Sequence, residues 1–206
     1  MPDRDEQPYH HGNLREALVE AGLELTRAGG AQALAMRDVA RRVGVSPTAA
    51  YRHFADRDAL VAAIATRIQA GMADRMHEAA PVGARPRDLL RAVGLGYIGF
   101  ALAEPGWFDV AFATIDARPD AAGAAPLPAP LSMLVTALDE LAVAGELTER
   151  AGAEWPCWSA VHGFALLALR GPLRFLPPDD VWAAAERTVD DVIDGLLARV
   201  GARATD

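Results

Sequence analysis

Apolar positions recur every three or four residues along most of the chain, and no stretch keeps the strict alternation of a half-buried strand. That spacing predicts a chain built of helices. Leu14, Ala17, Leu18, Ala21, Leu25 and Ala28 make a first stripe, with Asn13 and Glu16 spaced like a capping box and Gly29-Gly30 as the stop. A second, short helix is expected over about 37–43, with Val39, Ala40 and Val43 inward and Gly44 ending it. Ser46 is a good N-cap and Pro47 a favoured first residue, so a third short helix is expected from Pro47 to about Phe54. Asp56 caps a longer fourth helix to about Ala79, whose inner side carries Leu60, Ala63, Ile64, Ile68, Met72 and Met76.

Pro81 and Pro86 then mark a connection, a fifth helix covers about 87–103, and Pro105-Gly106 stop it. A short aromatic helix with Trp107, Phe108 and Phe112 follows. Residues 116–130 are rich in Pro, Ala and Gly and read as a mobile connection. Further helices are expected over about 130–144 and 152–170, with Pro156 tolerable only in a first turn or at a kink. After Pro177-Pro178, Val181, Ala184, Ala185, Val189, Val192, Ile193, Leu196, Leu197 and Val200 make a last stripe. The expected fold is all-α with nine helices: a flexible arm at 1–12, a small domain at 13–58 and a larger helical domain at 59–206.

Composition narrows the function classes. With 51% apolar residues in 206, the chain can bury a sizeable core. The longest nearly apolar runs, VGLGYIGFALA and SAVHGFALLAL, fall well short of the ~18 residues a bilayer span needs. No basic-then-apolar leader opens the chain, so a cytoplasmic protein without a membrane partner is expected. The lone Cys157 excludes a disulfide framework and a cysteine-based zinc site within one chain. All twenty basic residues are arginine, which excludes a Walker-type phosphate loop, a Schiff-base enzyme and a lysine base. His10-His11 has no further ligand nearby, and no metal or other cofactor is expected. GLGYIG, residues 94–99, spells a dinucleotide fingerprint but sits inside a predicted helix, where that motif has no strand to open it. No nucleophile elbow or paired metal-ligand motif appears, so the chain is not expected to be an enzyme.

Charge is unevenly placed. Residues 1–57 carry eight Arg and eight acids, whereas 58–206 carry the whole net charge of −8. Arg37, Arg41, Arg42 and Arg52 face only Asp38 within 36–55, so a small basic patch sits on an acidic body and would orient the N-terminal end toward a polyanion. The two short helices around Gly44 form a helix-turn-helix pattern. With Ala50 and Phe54 inward, Pro47, Thr48, Tyr51 and Arg52 face outward and His53 lies at the edge. Tyr51 and His53 suit phosphate oxygens, Thr48 and Arg52 can reach base edges, and Pro47 offers an apolar face to a thymine methyl. Arg57 brings a cation and a helix N-terminus toward phosphate. Arg37 and the helix-opening Ser46 complete the candidate surface for double-stranded DNA.

The run ALAMRDVARRVGVSPTAAYRHFADRDAL, Ala33 to Leu60, resembles the DNA-binding domain of the TetR family of transcriptional regulators. Val39, Ala40, Gly44, Val45, Ser46, Tyr51, His53, Phe54 and Leu60 carry the likeness. Arg57 stands where the family usually has lysine, Ala50 where leucine is frequent, and Met36 where a Ser or Thr cap is common. The resemblance implies an all-helical homodimer that binds a palindromic operator and is released by a small molecule. It also implies DNA contacts at Pro47, Thr48, Ala49, Tyr51 and His53. Trp158, His162 and Gly163 resemble a C-terminal ligand-binding type of the same family named for Trp, His and Gly.

Three expectations follow for the larger domain. Met72, Met76, Tyr97, Phe108 and Phe112, joined by Trp158 and His162, are candidates to line an apolar effector pocket. Val161, Ala165 and Ala168 on the eighth helix, with Val189, Val192, Ile193 and Leu196 on the last, are candidates for a four-helix dimer interface. The fourth helix, which joins pocket to DNA-binding domain, is the expected lever of a ligand-responsive regulator, most often a repressor in this family. The alternative is an architectural DNA-binding protein that answers to no ligand.

Overall fold

Local chemistry sets where each helix starts and stops. The structure, a computed structural model, describes residues 14–113 and 127–202, with side chains through Ala198. Among them are nine helices and no strand. α1 (Leu14–Gly29) runs into a 3-10 turn, Gly30–Ala33, entered through Gly30 at φ 61°. α2 (Met36–Val43) is closed by Gly44 at φ 78°, a left-handed position that suits glycine. α3 (Pro47–Tyr51) is opened by Ser46, whose Oγ accepts from the Ala49 N–H at 3.2 Å. α4 (Arg57–Glu78) is opened by Asp56, whose Oδ1 accepts from the Ala59 N–H at 2.7 Å.

α3 is three residues shorter than its sequence suggests. The Arg52 and His53 N–H groups bond back to the carbonyls of Ala49 and Ala50 in 3-10 fashion, which turns Phe54 into the core before Asp56 restarts the chain as helix. α5 (Pro86–Ala103), α6 (Pro105–Ala111), α7 (Ala129–Val143), α8 (Glu154–Leu169) and α9 (Pro178–Ala202) complete the set. Pro105 and Pro178 lie within the first turn of the helices they open, and Pro156 lies in the first turn of α8, where a missing N–H costs nothing. A 3-10 turn at Pro172–Phe175, unmarked in the pattern, joins α8 to α9. The capping residue Asn13 and most of the Pro/Ala/Gly connection lie outside the described residues.

α5 lies at the centre of the larger domain, in contact with α4, α6, α7, α8 and α9. Its glycines explain the false fingerprint. A Cβ on Gly96 would stand 2.9 Å from the Met76 Cα on α4, and one on Gly94 would stand 3.2 Å from both Val189 methyls on α9. These residues let three helices approach one another; no strand or phosphate loop is involved.

The small domain of α1–α3 is fastened to the larger one through α6. A Cβ on Gly106 would fall 2.2 Å from the Arg27 carbonyl oxygen and 2.7 Å from that of Thr26, so α6 starts hard against the end of α1. The Trp107 Nε1–H donates to the Leu23 carbonyl at 2.9 Å. Glu104, only 6% exposed, accepts from Arg27 at 2.8 and 2.5 Å and from Arg75 of α4 at 3.5 Å. The Arg27 hydrogen bond, foremost, holds its carboxyl below the usual glutamate range. Gln69 of α4 donates to the Ala111 carbonyl at 2.6 Å, tying the same short helix to α4.

Two glycine substitutions should separate this joint from ordinary helix propensity. Gly106→Ala is expected to lower stability in urea melts by about 2 kcal/mol or more, because backbone must shift to admit the methyl. Gly71→Ala, at an exposed position of α4 with open space around it, should raise stability by about 0.5–1 kcal/mol.

Candidate nucleic-acid interface and interior cavity

The outward face of α3 follows from two buried residues. Ala50 and Phe54 are fully enclosed, and Phe54 also carries the Arg15 guanidinium 4.8 Å over its ring. The opposite side therefore presents Ser46, Pro47, Thr48, Tyr51, Arg52 and His53 to solvent, with Ala49 half-buried between them. Tyr51 is a large ring left 52% exposed, a placement a monomer gains nothing from.

The arginines of this end divide into two kinds. Arg41 pairs with Asp38 at 2.9 Å and Arg42 with Glu24 at 2.6 Å. Arg37 and Arg52 are exposed and have no ion-pair partner among the described residues. α2 opens at Ala35, which gives no side-chain cap, and the Asp38 and Val39 N–H groups bond to its carbonyl at 2.9 and 3.1 Å. Arg57 departs from its expected role. Its Nε donates to the Leu34 carbonyl at 2.9 Å and its Nη2 to the Ala31 carbonyl, so the fork holds the 3-10 turn against the start of α4. Sequence spacing could not reveal this, because that turn's position depends on how α1 packs.

In the larger domain five rings meet. Tyr97 of α5 packs edge-on to Phe108 of α6 at 5.8 Å and to Trp158 of α8 at 5.2 Å; Phe112 and His162 close the group at 5.2 Å from each other. The Tyr97 hydroxyl and His162 Nδ1 lie 2.8 Å apart in a hydrogen bond. Burial pushes the Tyr97 pKa up and the His162 pKa down, so both stay uncharged near neutral pH. Beside this cluster lies a cavity of about 30 Å³. Met76, Tyr97 and Trp158, all expected at a pocket, line it. Met72 and Phe108 are buried away from it, while Phe112 and His162 stand behind its wall, against Tyr97 and Trp158.

The residues expected at a dimer interface are placed differently. Val161, Val189, Val192 and Ile193 line this same cavity, and Ala165, Ala168 and Leu196 are buried within their own chain. Their stripes meet α5 and each other within the chain. Exposed apolar side chains gather instead at the end of α8 and its connection to α9: Leu166, Leu167, Phe175 at 75% exposure, Leu176, and Trp182. Leu90, Val93, Gly94, Leu134 and Cys157 also line the cavity; in sequence only helical periodicity marks Leu90, Val93 and Leu134.

Residues 18–64 match the sequence model of "Bacterial regulatory proteins, tetR family", and residues 90–192, half the chain, match "Tetracyclin repressor-like, C-terminal domain". No curated protein sequence matches. Among solved structures, a Rhodococcus sp. RHA1 protein of unknown function is 29% identical, with TM-score 0.72 over 93% of this chain and 100% of that one. A TetR variant from Acinetobacter baumannii AYE in complex with minocycline is 22% identical, with TM-score 0.65 over 93% and 98%. FadR from Bacillus subtilis in complex with stearoyl-CoA is 14% identical, with TM-score 0.63 over 87% and 98%; these two share the fold.

The two kinds of arginine should behave differently. Arg37→Ala and Arg52→Ala should each weaken duplex binding and reduce its salt slope by about 1, with the melt unchanged. Arg57→Ala should instead lower stability by about 1–2 kcal/mol, through two lost carbonyl bonds. The ring cluster should show its own pH signature. His162 has a depressed folded pKa, so the unfolded chain binds its proton first and stability falls as pH drops below about 6.5. Melts from pH 8 to 5 should lose part of this slope in His162→Gln; an unchanged slope would place the sensitivity elsewhere.

Proposed function

We propose that this chain, which belongs to the TetR family of bacterial regulatory proteins, is a ligand-responsive transcriptional repressor acting as a cytoplasmic homodimer. What carries the reading is the exposed face of α3, with Thr48, Tyr51 and Arg52, together with Arg37 of α2; neither arginine has an ion-pair partner among the described residues. That face supplies apolar, hydrogen-bonding and cationic groups at the spacing a major groove accepts. The remainder of the chain is acidic, so the duplex meets the molecule at this end.

In this reading the dimer forms around α8 and α9, through outward residues such as Leu166, Leu167 and Phe175 in place of the stripes first expected. The effector enters beside the Tyr97–Trp158–His162 group, two of whose members, Trp158 and His162, with Gly163 carry the resemblance to the Trp-His-Gly type. Displacement of these rings moves Phe108 and Phe112, and with them α6, which is bolted to α1 as well as to α4. Signal transfer then runs through α6 and α4 together, and the effector acts by its different affinity for the two arrangements. One observation favours the ligand-independent alternative: a cavity of about 30 Å³ is far below the ~300–1,000 Å³ of ordinary ligand sites. An effector at this cavity has to open the core as it binds.

Selection of random duplexes with the purified protein tests the proposal. The enriched sequences should be inverted repeats whose half-sites lie about 34–36 Å apart, or a multiple of that, as two symmetric α3 helices require. No enrichment, or enrichment of a single unrepeated half-site, would remove the dimeric regulator reading.

A further inference from the structure

The cavity is walled by α4, α5, α7, α8 and α9, and none of its described wall residues is charged. Three ion pairs involving α4, α5 and α9 lie outside it. Arg91 of α5 binds Asp190 of α9 at 2.7 Å, Arg87 binds Asp194 at 2.8 Å, and Arg75 of α4 reaches Glu104 at 3.5 Å. The one hydrogen-bonded pair at its edge, Tyr97 with His162, satisfies itself and carries no charge. The Cys157 thiol, pushed up to about 11 mainly by burial, is also neutral at physiological pH. A carboxylate, sulfonate, phosphate or ammonium placed here would be buried without a counter-charge, with only the Trp158 indole N–H and the Cys157 thiol as side-chain donors not already engaged on the wall.

The wall also limits shape. Val161, Val189 and Ile193 are buried and branched, and Val189 already presses on Gly94. The parts able to yield are Met76, with its flexible side chain, and Trp158 and Val192, which are half-buried. Room can thus be made for a compact body between α5, α8 and α9, but not for a long chain.

We infer that the cavity takes an uncharged, compact, largely apolar molecule and rejects organic acids and amines. This deepens the ligand-responsive reading and rests on it, since it names the chemistry of the effector at the same site.

Two probes sharing one ring frame test it on the free protein, without DNA: uncharged N-phenyl-1-naphthylamine and the anion 8-anilino-1-naphthalenesulfonate. Val192→Phe plugs the cavity from a half-buried wall position and Leu134→Trp plugs it from α7, with circular dichroism confirming the fold. The fluorescence lost in the plugged chains reports the cavity. The uncharged probe should saturate at about one per chain, and the cavity-dependent binding of the sulfonate should be about tenfold weaker or more. On the unsubstituted chain, naphthalene should displace the bound probe and 1-naphthoate should not. Equal or tighter cavity binding of the sulfonate, or displacement by naphthoate as readily as by naphthalene, would overturn the inference. So would uncharged binding that neither folded plug reduces. If the charge discrimination holds but a loaded chain binds duplex unchanged, the regulatory reading fails while the ligand chemistry stands.

Discussion

The arrangement of this molecule depends on one buried carboxylate. Glu104 sits where α5 gives way to α6 and accepts hydrogen bonds from Arg27 at the end of α1 and from Arg75 on α4. A carboxylate in so enclosed a place is tolerable only while both guanidiniums attend it, so the three elements are held in one geometry. Gly106 lets α6 touch the α1 backbone directly, and Trp107 adds a hydrogen bond from its indole one turn further back. The small domain is thereby fixed at two places: along the continuous start of α4, and across space through α6.

That second attachment gives α6 its importance. One face carries Trp107 toward α1, and the other carries Phe108 and, just past its end, Phe112 into the rings of Tyr97, Trp158 and His162. These seven residues therefore connect the end of α1 to the group of rings beside the cavity. Packed interiors resist gradual deformation, so a guest that parts the rings must displace α6 as a body. α4 is tied to the same helix through Gln69, and the two elements would move together.

The sequence made the DNA-facing end legible because its signals are local. Gly44, Ser46 and Pro47 act within one turn of where they stand, and the i, i+4 pair Ala50 and Phe54 fixes which side of α3 is free. The misreadings all concern what a side chain meets after the chain has folded. Arg57 looks like a phosphate ligand until the 3-10 turn places two carbonyls beside it. The α9 stripe reads equally well as core or as interface; α5, drawn close through Gly94, makes it core. Met72 belongs to the inner side of α4 as expected, but the cavity lies nearer Met76, a turn along. The Glu104 joint had no signature, because Arg27, Arg75 and Glu104 are distant in sequence and each is unremarkable alone.

The central claim is that α6 locks the DNA-binding domain to the ring-filled domain as one cooperative body. Urea unfolding followed separately by Tyr51-region hydrogen exchange and by tryptophan fluorescence tests it most directly. The account predicts coincident transitions for the unsubstituted chain, and two separate transitions, with α1–α3 melting first, once Glu104→Gln and Trp107→Phe are combined. Separate transitions in the unsubstituted chain, or coincident ones in the doubly substituted chain, would contradict it.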